Sequence, residues 1–200
     1  MLEKINYLTA GESHGRGLLG IIEGIPSNLE IDENFIREQL SRRQKGYGRG
    51  SRMKIESDSA QIYCGVRHGF TIGAPIGLII ENKDFQNWEE AMSVHKNNYN
   101  RKITLPRPGH ADLAGVLKYG FDDIRNVIER SSARETAMRV AIGAICRKLL
   151  GELNVEICSR VVQIFNIVDQ SQIDSHLSYE KINEIADQSS VRCLDKDKEK

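Results

Sequence analysis

Two histidines lie in glycine-containing turns, where their imidazole rings could exchange protons near neutral pH. His14 lies in the segment 11–15, of sequence GESHG, and His110 lies in a Pro-Gly turn that precedes a predicted helix. Neither ring belongs to an apolar stripe, which argues against a buried structural role for both. General acid catalysis is therefore the chemistry we predict for His14 and His110. The other histidines lie in polar segments and are predicted to be surface residues: His68, His95 and His176.

A basic segment runs from Arg37 to Lys54. It contains seven Lys or Arg residues and one Glu, a local charge of +6 in a chain of zero net charge. Three glycines at alternate positions from 46 to 50 allow the backbone to approach a ligand closely. Arg43 follows Leu40 by three residues and so lies on the apolar face of a predicted helix, where a guanidinium needs an anion. The segment therefore predicts an anion-binding site.

Two other interpretations of this basic segment stay open. It could be a solvated surface loop without a ligand. It could also contact nucleic acid phosphates, although Tyr47 is its only aromatic residue and aromatic residues make up 6% of the chain. Because single-strand binding uses aromatic stacking platforms, nucleic acid binding is the weaker alternative.

A second group of basic and hydroxyl residues follows, beginning with the segment 107–112, of sequence RPGHAD. Arg130, Ser131 and Ser132 come directly before the strongest helix pattern, where free N–H groups and the helix dipole favour an anion. The alternative is that Ser132 only caps the helix and that the arginines pair with nearby carboxylates. Those carboxylates are Asp122, Asp123 and Glu129.

Histidines and arginine clusters, with neither a nucleophile motif nor a metal motif, indicate acid catalysis on a multiply anionic small molecule. Phosphate is a natural leaving group for such chemistry. The cysteines are widely spaced and form no Cys-x-x-Cys pair, so we expect reduced structural thiols and no metal site. They are Cys64, Cys146, Cys158 and Cys193.

Alternating apolar residues and turn signals predict a β-rich first part of the chain. The predicted strands are Ile5–Thr9, Leu18–Ile25, Arg52–Ser57, Gln61–Val66 and Pro75–Glu81, with a hairpin turn over Ser57–Ala60. The polar stretch Asn82–Arg101, which contains Trp88, is predicted to be a surface loop. A long strand is predicted over Leu153–Val168.

Capping residues and apolar spacing predict the helices. Asp32 caps a helix that ends before Gly46, a second helix covers Asp112–Tyr119, and Ser178 introduces a short one over Tyr179–Asp187. The strongest pattern begins at Ser132, with Glu135 three residues later in the form of a capping box. Its apolar residues recur at spacings of four, three and four: Met138, Ile142, Ile145 and Leu149.

The composition limits the class of protein. The 200 residues are 40% apolar and 28% charged, which excludes disordered, collagen-like and coiled-coil chains. Apolar stretches are far shorter than the roughly 20 residues of a membrane span. The N-terminus has no secretory pattern, so we expect a cytoplasmic protein, and the absence of a linker predicts one domain over 1–200 without an internal boundary.

The chain resembles chorismate synthase in five blocks that occur in the order of that family. The most specific are the segment 107–112 and the segment 130–136, of sequence RSSARET. The others are the segment 11–15, the pair Arg42-Arg43 with Gly46 and Arg49, and the segment 69–76, of sequence GFTIGAPI. The resemblance covers nearly all of residues 5–150 and continues more weakly to the end.

The resemblance implies an α+β fold in which helices are sandwiched between antiparallel β-sheets, assembled as a homotetramer. It also implies a lyase of the shikimate pathway of aromatic amino acid biosynthesis. In that reaction 5-enolpyruvylshikimate 3-phosphate loses phosphate by 1,4-elimination and gives chorismate, and reduced FMN is required. NADPH is the candidate reductant of the flavin, although the chain has no Gly-x-Gly-x-x-Gly fingerprint between a strand and a helix.

Roles for individual residues also follow from the resemblance. His14 matches the histidine that protonates the departing phosphate, and His110 matches the one that neutralises reduced flavin near its N1. The segment Arg130, Ser131 and Ser132 matches a flavin-contacting segment. The positions that bind substrate, or NADP in some members, correspond to Arg43 and Arg49, with Arg107 and Arg134 completing an anion-binding wall.

Members of that family are much longer, and this chain is similar to their N-terminal part. We therefore expect the isolated 200-residue chain to be inactive by itself, with apolar surface exposed where the sandwich is uncovered. The alternative function is a truncated, catalytically silent module that binds anions or nucleic acid. Binding of nucleic acid with a steep salt dependence would distinguish this alternative from the lyase.

Overall fold

The computed structural model describes residues 4–48, 57–173 and 178–199, and its centre is a four-stranded antiparallel sheet. The strand order is β1-β2-β6-β3, so β2 and β6 lie in the middle. The sheet strands are β1 (Asn6–Gly11), β2 (Gly17–Glu23), β3 (Ala60–Cys64) and β6 (Ile76–Glu81). Two further short strands, β4 (Val66–Arg67) and β5 (Phe70–Thr71), pair with each other.

The two central strands alternate between buried and exposed residues, as strands with one covered face do. Leu18 and Ile22 of β2 are buried, and Leu18 lies opposite the buried Ile80 of β6. On the same face Gly20 allows a helix to approach, because a Cβ atom built there would lie 2.5 Å from the sulfur of Met138. This face of the sheet is therefore the floor of the core.

Two helices, α1 (Glu33–Gln44) and α4 (Thr136–Glu152), cover that floor and pack against each other. The side chain of Asp32 caps α1 by accepting a hydrogen bond of 2.9 Å from the backbone N–H of Phe35. This confirms the predicted start of α1. The apolar residues predicted for α4 lie in the core, with Leu149 partly buried: Met138, Ile142, Ile145 and Leu149. On α1, Ile36 and Leu40 are buried and Phe35 is partly buried against the same core.

The start of α4 differs in detail from the predicted capping box. Ser132 does cap, accepting from the backbone N–H of Arg134 at 3.2 Å, but it begins a short 3-10 helix over Ala133–Glu135. The Glu135 carboxylate instead accepts hydrogen bonds from Thr9 and Arg139. The Thr9 hydroxyl of β1 and the Arg139 guanidinium, one turn further along α4, thus replace the expected backbone donor.

Two of the remaining helices follow the sequence closely, whereas a third was not predicted. Helix α2 (Asp112–Tyr119) ends at Gly120, whose φ of 66° is the left-handed conformation that favours glycine. Ser178 caps α5 (Tyr179–Gln188), as predicted. A short helix, α3 (Arg125–Arg130), precedes Ser131, and the polar stretch after Asn82 is irregular apart from a 3-10 helix over Lys83–Asn87.

The prediction of one long strand over Leu153–Val168 is wrong. Only a short hairpin forms there, in which the two-residue strands β7 (Gln163–Ile164) and β8 (Ile167–Val168) pair. Phe165, in the turn between them, has a positive φ of 53°. Asn154 also has a positive φ, which interrupts extended backbone at the start of the segment. Apolar residues do alternate along this segment, but the segment does not pair with the central sheet.

One other predicted strand differs from the structure, and a second is left untested. The strand predicted over Gln61–Val66 is divided at Gly65, where β3 ends and β4 begins. Gly65 has a φ of 86°, and a Cβ atom there would lie 2.5 Å from the Pro75 carbonyl oxygen. Nearly all of the strand predicted over Arg52–Ser57 lies outside the described residues.

The described residues thus supply one sheet layer and one helix layer, and their helices and antiparallel sheets confirm the α+β class. The opposite face of the sheet is exposed and apolar, with Leu8 at 69% and its cross-strand neighbour Ile21 at 51%. All four cysteines are free. Within the described ranges, none of the helices has the length and apolar character needed to cross a bilayer.

Candidate active site

The loop between β1 and β2 contacts the end of α3 and the beginning of the α4 region. The backbone N–H of Ser13 donates to the Glu129 carbonyl oxygen at 3.0 Å, and the Ser13 hydroxyl lies 3.0 Å from the Ser132 hydroxyl. Arg130 donates to the Gly11 carbonyl oxygen. Two predicted clusters that are more than 100 residues apart in the chain therefore form one site.

His14 is held by the carboxylate of Glu129. Its backbone N–H donates to Glu129 Oε2 at 2.8 Å, and its ring Nδ1 lies 3.0 and 3.1 Å from the two carboxylate oxygens. A carboxylate accepts, so Nδ1 carries a proton and Nε2 is left for other chemistry. Glu129 is 3% exposed, whereas the His14 side chain is 22% exposed. The sequence offered Glu129 only as a partner of arginines and gave no signal for this contact.

Trp88 and Arg125 complete the surroundings of His14. The Trp88 ring lies 4.0 Å from the His14 ring, centroid to centroid, and the Arg125 guanidinium lies 5.3 Å from the Trp88 centroid. Arg125 Nη1 is also 3.8 Å from Glu129 Oε1. Both side chains line a cavity of 1170 Å³ whose other walls come from residues 86–91 and 97–103. The sequence placed Trp88 in a surface loop, so its contact with His14 was missed.

His110 belongs to a compact group around Asp112. Arg107 donates to both Asp112 carboxylate oxygens at 2.8 Å, and the Asp112 side chain is fully buried. These hydrogen bonds from Arg107 hold the pKa of the Asp112 carboxyl well below its usual range, and they raise the pKa of Arg107. An ionised carboxylate at the first residue of α2 also matches the helix dipole.

The geometry around His110 indicates which ring nitrogen carries the proton. Its Nδ1 accepts from the Ala111 backbone N–H at 3.0 Å and lies 3.1 Å from Arg107 Nη2, itself a donor. In the neutral ring the proton therefore lies on Nε2, the opposite arrangement to that of His14. Arg107 Nη2 also lies 3.4 Å from the Ser131 hydroxyl, which links His110 to the segment before α4.

Arg43 points inward, as the helical spacing predicted. Its side chain is 13% exposed, and it donates to Thr136 Oγ1 at 2.9 Å and to the Ala133 carbonyl oxygen at 2.8 Å. Its Nη1 lies 3.6 Å from Asp58 Oδ2. Arg43 therefore connects the end of α1 to the beginning of α4. Arg49 lies outside the described residues.

Arg134, which was predicted to help form an anion-binding wall, lies in the interior of the fold and contacts protein acceptors. The side chain is buried, and Nε donates to Asn82 Oδ1 at 2.8 Å while Nη1 pairs with Asp58. Asp58 is also buried, so one carboxylate serves both Arg134 and Arg43. The sequence predicted Asp58 only as part of a turn, and only its negative charge could have indicated that it pairs with arginines.

The donors that remain nearest to solvent are the exposed Arg130, the half-buried hydroxyls of Ser131 and Ser132, and the Arg107 guanidinium. Guanidinium and hydroxyl donors of this kind bind phosphate and carboxylate groups. With His14 and His110 beside them, the arrangement can bind an anion and donate a proton to it. His68 and His95 are exposed, as predicted, and His176 lies outside the described residues.

Comparisons with known proteins agree with this arrangement. The family model of chorismate synthase matches residues 5–200. The chain is 53% identical over 194 residues to a chorismate synthase of Alkaliphilus metalliredigens, covering 96% of this chain and 50% of that protein. It is 50% identical over 200 residues to one of Listeria welshimeri, covering 98% of this chain and 51% of that protein.

A solved chorismate synthase structure superposes on the whole chain with a TM-score of 0.73 at 39% sequence identity, over 51% of that chain. The present chain thus spans about half the length of the curated relatives it matches. The family match, the sequence identity and the shared fold extend over the same residues. From its sequence and its fold, this chain belongs to the chorismate synthase family.

Proposed function

We propose that the protein carries out the 1,4-elimination that converts 5-enolpyruvylshikimate 3-phosphate to chorismate, in the shikimate pathway. The reaction breaks a carbon–oxygen bond to phosphate and a ring carbon–hydrogen bond, with no net oxidation. Family membership supports the reaction class. The single observation that carries the proposal is the His14–Glu129 pair. The pair adds an oriented proton donor to a site whose guanidinium and hydroxyl groups can donate hydrogen bonds to an anion.

His14 is the proposed acid for the departing phosphate. Glu129 holds Nδ1–H, so the ring presents Nε2, and a proton on Nε2 can pass to a phosphate oxygen. Protonation lowers the charge of the leaving group and hence the free energy needed to expel it.

Arg43, Arg49, Arg107 and Arg134 are the proposed residues for binding the phosphate and carboxylates of the substrate, or NADP. Arg107 is the best placed of the described ones, because its guanidinium is 43% exposed and reaches Ser131. The donors of Arg43 and Arg134 contact protein acceptors, which supports a role in shaping the wall. Arg49 is proposed from the family resemblance alone.

Reduced FMN is the proposed cofactor, with NADPH as the candidate reductant. The residues fit such a group, since Arg130, Ser131 and Ser132 provide guanidinium and hydroxyl donors beside the exposed His110. When bound, the reduced flavin supplies electron density to the substrate transiently. His110 holds a proton at Nε2 in its neutral form and is proposed to neutralise the charge near flavin N1.

We also propose a cytoplasmic homotetramer. The apolar outer face of the central sheet, which includes Leu8 and Ile21, supports contact between copies of the chain. Light scattering coupled to size-exclusion chromatography measures the mass of the assembly. A purely monomeric protein at micromolar concentration would contradict this part of the proposal.

The test of the reaction begins with the intact mass of the natural protein. Phosphate release from 5-enolpyruvylshikimate 3-phosphate is then measured on the same sample under anaerobic conditions with reduced FMN. A mass above 22.6 kDa with FMN-dependent release is the expected result, and a mass of 22.6 kDa without release would overturn activity of this chain.

The histidine roles are tested in the same assay. His14→Ala and His110→Ala should each lower turnover by about 100-fold or more, because each removes a proton donor. His68→Ala is the matched control, since His68 is exposed and distant in sequence from both clusters. Unchanged turnover in both active-site variants would refute the proposed roles.

A further inference from the structure

A second basic site lies between α1 and α4, as a cleft of 420 Å³. Gln39 and Ser159 line part of it, and the floor is the α4 backbone near Gly143. Among the described residues, neither Asp nor Glu lines this cleft. Five arginines line it: Arg42, Arg43, Arg139, Arg147 and Arg192.

Three of these arginines are connected through two shared acceptors. Gln39 Oε1 accepts from Arg42 Nη1 at 3.0 Å and from Arg147 Nη1 at 2.8 Å. Asp187 accepts from Arg42 Nε at 2.5 Å and pairs with Arg192. Arg42 and Arg192 thus share the carboxylate of Asp187, and Arg147 joins them only through the Gln39 amide oxygen. Within the part of the chain that the structure describes, these three guanidinium groups and the carboxylate of Asp187 have a net charge of +2.

Bringing like charges together is unfavourable unless an anion lies between them. Burial lowers the pKa of the Arg42 guanidinium, and burial together with the neighbouring Arg42 charge lowers the pKa of Arg192. A bound anion would relieve both effects. Arg42 and Arg192 are each about three-quarters buried, so solvent screens their repulsion only partly.

Gly143 keeps the cleft open. A Cβ atom built on it would meet nothing within 4 Å, although glycine weakens the interior of a helix relative to alanine. The glycine therefore serves no packing contact among the described residues. It leaves the backbone of α4 accessible at the floor of the arginine-lined space, where a ligand can approach closely.

We propose that this cleft binds the phosphate dianion, either as inorganic phosphate or as the phosphate group of a small organic monoester. Guanidinium groups bind such a group in bidentate fashion, and its two negative charges match the net charge of +2 of Arg42, Arg147, Arg192 and Asp187. Arg43 lines both this cleft and the proposed substrate wall, but the arginines that carry the proposal lie outside the candidate active site: Arg42, Arg147 and Arg192. Arg147 lies eleven residues beyond Thr136, roughly 16 Å along α4.

The test titrates the chain with inorganic phosphate, and separately with glycerol 3-phosphate, by calorimetry at low ionic strength. Arg147→Gln should weaken binding about tenfold, because it removes a charged donor to the anion. Arg37→Gln is the matched control: it removes the same charge from an exposed position of α1 outside the cleft and should leave the affinity unchanged. The probe that binds more tightly shows whether the cleft takes inorganic phosphate or the phosphate group of an organic monoester.

Two further variants distinguish binding in this cleft from binding in the candidate active site. Gly143→Leu fills the cleft without altering charge and should abolish binding, while circular dichroism checks that α4 is intact. His14→Ala should leave phosphate affinity unchanged. The proposal is overturned by a lack of saturable binding, by equal weakening in Arg147→Gln and Arg37→Gln, or by retained binding in Gly143→Leu. It is also overturned by an affinity that depends on His14 and not on Arg147.

Discussion

The Nδ1 atom of His14 lies 3.0 and 3.1 Å from the two carboxylate oxygens of Glu129, a residue 115 positions away in the chain. The same carboxylate accepts the backbone N–H of His14 at 2.8 Å. Ring and backbone are therefore fixed together, and the tautomer of the ring is set by a buried anion. In catalytic histidines such a partner orients the ring and stabilises its protonated form.

We predict that Glu129→Gln lowers the turnover of phosphate release by about tenfold to 100-fold with little change in KM, because an amide accepts the hydrogen bond from Nδ1–H but carries no negative charge. Glu156→Gln alters an exposed carboxylate and should have no effect. Nitrogen NMR of the His14 ring reports the tautomer directly. If Glu129→Gln left both turnover and the ring nitrogen shifts as in the parent protein, Glu129 would not position His14.

Arg134 and Arg43 share the carboxylate of Asp58, so substitution of Asp58 should destabilise the fold more than substitution of an exposed carboxylate. Asp58→Asn removes the negative charge that two largely buried guanidinium groups share and should destabilise the chain by about 3–5 kcal/mol. Asp122→Asn breaks a solvent-exposed pair with Lys102 and should change the free energy of unfolding little, because solvent screens such a pair. Urea unfolding of the two variants measures the difference, and similar midpoints would contradict a central role for Asp58.

The Asp112–Arg107 pair gives the stability a defined dependence on pH. The pKa of Asp112 is lower in the folded chain than its ordinary value of 3.8, so its carboxylate stabilises the fold above that pH. The contribution is lost as the pH falls from 3.8 towards the folded pKa. Asp112→Asn should therefore destabilise the chain at pH 7, by about 1–3 kcal/mol, and by less at pH 3. Unfolding measured at both pH values checks this, and an equal loss at both would contradict it.

Gly20 is required for the packing of α4 on the sheet. A Cβ atom there would lie 2.5 Å from the Met138 sulfur, so Gly20→Ala should destabilise the chain by about 1–3 kcal/mol. Gly143→Ala, where a Cβ atom meets nothing, should stabilise α4 by about 1 kcal/mol. Thermal unfolding of the two variants gives shifts of opposite sign if the close contact at Gly20 is as described.

The sequence alone determined the features that depend on neighbouring residues. Asp32, Gly120 and Ser178 mark helix ends because a cap interacts with backbone groups within a few positions of itself. The apolar spacing after Ser132 determined which face of α4 is buried. The two candidate histidines were also evident, because their glycine-containing turns can be read from adjacent residues.

Tertiary structure decided which distant groups meet. The pairing of Glu129 with His14, the contact of the Trp88 ring with that imidazole and the sharing of Asp58 by two arginines all join segments far apart in the chain. A charge in the sequence does not specify its partner, because electrostatic contacts depend on where loops are held. The segment Leu153–Val168 illustrates the same limit for strands, because alternation indicates an extended segment and only an available sheet edge makes it a strand.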